Sequence, residues 1–71
     1  MMHEWQWQLN IRLKEKGTGG DLEFTVQGFQ ELANNCRGFF ERRGVEFWLY
    51  QGERIVGEAA CGLIRFWNLT F

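Results

Sequence analysis

Phe29-Gln30-Glu31-Leu32-Ala33-Asn34-Asn35-Cys36-Arg37-Gly38-Phe39-Phe40-Glu41-Arg42-Arg43 is the stretch that decides the fold. At about 100° per residue, Phe29, Leu32, Ala33, Cys36, Phe39 and Phe40 fall within an arc of about 120°. Gln30, Glu31, Asn34, Asn35, Gly38, Glu41 and Arg42 occupy the opposite side. That is the apolar stripe of a helix laid on a core. Gly28 stands where an N-cap is expected, and Glu31 suits the positive end of the helix. Arg42 and Arg43 suit the negative end, and Gly44 is a natural left-handed stop. Gly38 is discordant, since an exposed mid-helix glycine costs about 1 kcal/mol relative to Ala. Phe40 still falls on the stripe, so the reading is one helix running through Gly38.

Outward from the helix, the chain reads as short extended segments. Trp5 to Leu13 alternate without a break: Trp5, Trp7, Leu9, Ile11 and Leu13 point one way, and Glu4, Gln6, Gln8, Asn10, Arg12 and Lys14 the other. Period two over this length predicts a strand with one wet face. Lys16-Gly17-Thr18-Gly19-Gly20-Asp21 reads as a hairpin loop. Leu22, Phe24 and Val26 alternate with Glu23, Thr25 and Gln27 in a second strand. After the helix, Val45, Phe47 and Leu49 form the inward set of a third strand, which leaves Glu46, Trp48 and Tyr50 outward.

Gln51-Gly52 suggests a tight turn into a fourth strand from Arg54 to about Ala60, with Ile55, Gly57, Ala59 and, just beyond it, Cys61 inward and small enough for the helix to come close. Gly62 ends or bends that strand. In the tail, Leu63, Arg65, Trp67, Leu69 and Phe71 share one face, and Ile64, Phe66, Asn68 and Thr70 the other. Apolar groups on both faces suggest a strand covered on both sides, with a second copy of the chain as one candidate cover. The expected fold is α+β: a single small domain over 1–71 in the order ββαβββ. Its four- to five-stranded antiparallel sheet, in strand order 2-1-3-4-5, carries one helix packed on one face and leaves the other face open.

The chain is 71 residues long, with a formal net charge of −1. A chain this short buries only about 60% of its unfolded surface. Yet Phe, Trp and Tyr make up 17% of it, more than one helix on one sheet can shelter, which points to a binding surface. The near-neutral charge argues against a protein that lives on phosphate contacts. No apolar run is long enough for a membrane helix, and the opening residues, without a cationic segment followed by an apolar one, lead to the expectation of no secretion signal. The expectation is a cytoplasmic protein with reduced thiols.

Catalysis is poorly supplied. His3 is the only histidine and lies near the terminus. Cys36 and Cys61 both read as inward small hydrophobes, and with one distant histidine they make no zinc spacing. Gly17-Thr18-Gly19-Gly20 lacks the Lys-Ser/Thr of a phosphate loop. Glu23, Glu46, Glu53 and Glu58 read as solvated charges that discourage edge-to-edge aggregation. No cofactor and no metal is expected.

The open face is the candidate site, with Trp48, Tyr50, Arg12, Gln8, Asn10 and Trp67 as protein-binding residues. Trp, Tyr and Arg dominate binding hot spots. The competing structural reading packs Trp48 and Tyr50 on the stems of Arg12 and Lys14. The function expected is non-enzymatic: an adaptor, regulator or inhibitor docking through the sheet face or edge, with a protein or a second copy as partner. The alternative is single-stranded nucleic-acid binding, in which Trp48 and Tyr50 stack bases while Arg12, Lys14, Arg37, Arg42 and Arg43 meet phosphate.

Overall fold

A computed structural model describes residues 10–17 and 20–69. Strands β1 (Ile11–Glu15) and β2 (Glu23–Val26) precede helix α1 (Phe29–Arg43), and β3 (Phe47–Gln51), β4 (Arg54–Ala60) and β5 (Leu63–Phe66) follow it. The strands form one five-stranded sheet in the order β2-β1-β3-β4-β5. Every neighbouring pair is antiparallel. This is the α+β architecture that the alternation predicts. Trp5, Trp7 and Leu9 of the first predicted strand, Thr18 and Gly19 of its loop, and Thr70 and Phe71 of the tail lie outside the described residues.

The helix follows its local signals. Gly28 is extended and gives no side-chain cap; instead Glu31 Oε1 accepts the Gln27 N–H at 3.1 Å, closing the first turn from inside. Gly44 takes φ 69° and donates its N–H to the Phe40 carbonyl at 2.8 Å, the left-handed stop. The helix does run through Gly38.

Between helix and sheet lie Ile11, Leu13, Val26, Leu32, Cys36, Val45, Phe47, Leu49, Val56 and Ala59, all buried. Each full-sized apolar side chain buried there stabilises the fold by about 1.5–3 kcal/mol. The aromatic residues extend this core. Phe39 packs with Phe24 and Phe47 at centroid separations of 5.7 and 5.6 Å, and Phe29 meets Phe66 edge-on at 6.1 Å.

Three expectations are corrected. The register between β3 and β4 shifts at Leu49/Tyr50: Leu49 faces Gly57 but Tyr50 faces Ile55, so Val56 is the extra residue of a bulge. Ile55, expected inward, therefore lies on the open face at 38% exposure, and Val56 is fully buried in the core. Gly57 makes room for β5, not for the helix: a Cβ there would lie 2.3 Å from the Arg65 carbonyl oxygen and 2.9 Å from the Phe66 ring. Cys61 is exposed, because the strand stops at Ala60 and Cys61 begins the turn with φ 56°.

Candidate functional site

The face of the sheet away from the helix is built row by row from the register. One row runs Thr25, Arg12, Tyr50, Ile55; the next runs Glu23, Lys14, Trp48, Glu58, Arg65. Its aromatic residues are already engaged. The Arg12 guanidinium sits 4.5 Å from the centroid of the Tyr50 ring and also bonds Glu23 and the Gly52 carbonyl oxygen, the latter at 2.9 Å. Over Trp48 the cation is Lys16, not the Lys14 that sequence reasoning named, with Nζ 4.2 Å from the ring centroid. The same ammonium donates to Glu58 Oε1 at 2.6 Å, and Arg65 donates to Glu58 Oε2 at 2.9 Å.

Charge follows this geometry. The hydrogen bond from Lys16, then its charge and the Arg65 contact, hold the Glu58 carboxyl below its ordinary range. The hydrogen bond to Glu23 raises Arg12 further above its already basic value. Glu46 is spent elsewhere, accepting the Cys61 N–H at 3.0 Å. The carboxylates of this face thus serve separate partners, and among the described residues no three potential ligands gather around a metal-sized space. Burial pushes the Cys36 thiol up to about 11, so it stays protonated at neutral pH.

Of the expected binding residues, Trp48 and Tyr50 are half-buried beneath their cations, and Asn10 is exposed just before β1. Gln8 lies outside the described residues. Trp67 is half-exposed just after β5, its N–H bonded to the Val56 carbonyl oxygen at 2.9 Å. The residues named for phosphate contact are divided by the fold. Arg12 and Lys14 project from the open face, whereas Arg37, Arg42 and Arg43 belong to α1 on the other side.

Sequence reasoning named the sheet edge and Trp67 but missed Lys16 and Leu63. Lys16 continues the parity of Arg12 and Lys14, but the glycines that follow it hide that continuation. Among the described residues Leu63 is the most exposed large apolar side chain, at 75%, and Trp67 follows at 52%. With Ala60, Ile64, Arg65 and Glu58, Leu63 lines an open concavity beside β5. Among the described residues no helix is long and apolar enough to cross a membrane. Comparison with family models, curated proteins and solved structures gives no match to this chain.

Proposed function

We propose that this chain is a small non-enzymatic binding module that contacts another protein through the sheet edge at β5. It would act as an adaptor, regulator or inhibitor of a larger protein. The observation that carries the reading is where exposed apolar surface gathers. Leu63 and Trp67 stand at β5 and just beyond it on the open-face side, and Phe29 packs on Phe66 on the helix side of the same strand. Among the described residues β5 is paired on one side only, and large apolar side chains left in water beside such an edge are the usual material of a contact surface. The centre of the open face is less available, because Arg12 and Lys16 cover its rings.

The absence of catalysis belongs to the proposal. It is supported by the separate engagement of Glu23, Glu46 and Glu58 and by the protonated Cys36. A cytoplasmic location belongs to it too, supported by two free thiols, which an oxidising compartment would put at risk.

The test is capture from the native host extract with tagged wild type and with a Leu63→Asp, Trp67→Ser double variant. A partner retained by the wild type and lost from a double variant of unchanged unfolding midpoint supports the reading. Equal retention by both overturns it. Nucleic-acid binding ranks second. Its one favourable feature is that Arg12, Lys14, Lys16 and Arg65 share a face with Trp48 and Tyr50, and it requires affinity for a labelled single strand that falls steeply with salt.

A further inference from the structure

We propose that β5 pairs antiparallel with β5 of a second copy about a two-fold axis at Ile64. This rests on the reading above, that the β5 edge is the contact surface, and names its partner. The backbone sets the geometry. Cys61 and Gly62 both have positive φ, 56° and 78°, and form a two-residue loop between Ala60 and Leu63. Such a primed hairpin closes on a hydrogen-bonded pair, here Ala60 with Leu63. Alternation then turns the N–H and C=O of Leu63 and Arg65 toward β4 and those of Ile64 and Phe66 toward the free edge. The 2.9 Å bond from the Trp67 N–H to Val56 keeps the same parity beyond the strand end.

Charge and backbone select the register. A two-fold axis normal to the sheet keeps both helices on one side and pairs residues of equal parity. Centred on Ile64, it sets Leu63 beside Arg65 of the second copy, twice, with no like charges opposed. Moved one residue toward the C-terminus it would set Arg65 directly against Arg65, which is unfavourable. Moved the other way it would pair Ile64 with Gly62, whose positive φ does not fit a ladder. Each Arg65 is anchored by its own Glu58 at 2.9 Å, which leaves its stem free to cover Leu63. A four-residue edge buries less than the roughly 1,200–2,000 Å² of a standard interface, so the dimer is weak and concentration-dependent.

The experiment is sedimentation velocity with amide hydrogen exchange, from low micromolar to near-millimolar protein. The expected result is a rise toward dimer mass, with Ile64 and Phe66 gaining protection as concentration rises and Leu63 and Arg65 protected throughout. Leu63 is exposed, so its variants should keep the monomer fold, which unfolding curves check. Leu63→Lys should weaken association roughly tenfold, whereas Leu63→Glu, facing Arg65, should preserve or tighten it. Equal weakening by both variants overturns the register. A monomer at every concentration, with Ile64 and Phe66 exchanging fast, overturns self-pairing and leaves the edge open to a different partner. Protection of both amides at the highest dilution shows that the chain covers its own edge, and overturns this inference together with the reading beneath it.

Discussion

Lys16 stands between Trp48 and Glu58, its ammonium 4.2 Å from the indole ring centroid and 2.6 Å from the carboxylate. One cation therefore ties the loop after β1 to strands β3 and β4. Because Arg65 takes the other oxygen of Glu58, the tie continues to β5. The open face is organised by this carboxylate, and its behaviour with pH follows.

Glu58 titrates below its ordinary value of 4.5 in the folded protein. The unfolded chain then takes up the proton first as pH falls. The stability from these contacts is complete above that ordinary value and is lost as pH drops through the depressed folded one. Urea unfolding between pH 7 and pH 3 should show a falling acid limb, and Glu58→Gln should flatten it. An acid limb of equal slope in the variant would assign the loss to other carboxylates.

Glycine-to-alanine changes at positions 38 and 57 should move stability in opposite directions. At Gly57 the new methyl would meet the Arg65 carbonyl oxygen at 2.3 Å, and backbone cannot swing aside. Gly57→Ala should cost about 1–3 kcal/mol, as overpacking does, and loosen β5 first. At Gly38 the nearest atom is the terminal nitrogen of Arg42 at 3.1 Å, the far end of a flexible side chain. Gly38→Ala should add about 1 kcal/mol through helix propensity. Denaturant midpoints decide both.

The helix was legible to its last residue because its signals are local: a stripe, Glu31 near one end and Gly44 at the other. Sheet order followed from alternation and loop length. The inverted pair Ile55 and Val56 was not legible, since a bulge is decided by how β4 fits β3 and leaves no mark in either strand alone. Cys61 was misplaced by carrying period two one residue past the strand, where the sign of φ changes. On the open face Arg12 lies on Tyr50 as expected, but the cation on Trp48 is Lys16 and not Lys14. The sequence placed Trp48 and Tyr50 there, while the capture of Trp48 by Lys16 depends on how the loop after β1 returns.

The two thiols should separate sharply in reactivity. Cys36 is buried at 1% exposure with its pKa pushed up to about 11, whereas Cys61 is exposed in the turn. In native protein at neutral pH a thiol reagent should label Cys61 promptly and Cys36 only on unfolding, read by mass spectrometry of the peptides. Cys61 also holds a left-handed conformation that costs an ordinary L-residue about 1–2 kcal/mol and suits Asn or Gly better. Cys61→Asn should therefore stabilise the domain by about 1 kcal/mol and remove the fast-labelling site together. A variant less stable than the parent would mean that the thiol makes a favourable contact outweighing the backbone term. Fast labelling that persisted in the variant would mean that Cys36 is reached without unfolding, and that the seal of the helix on the sheet is weaker than its burial implies.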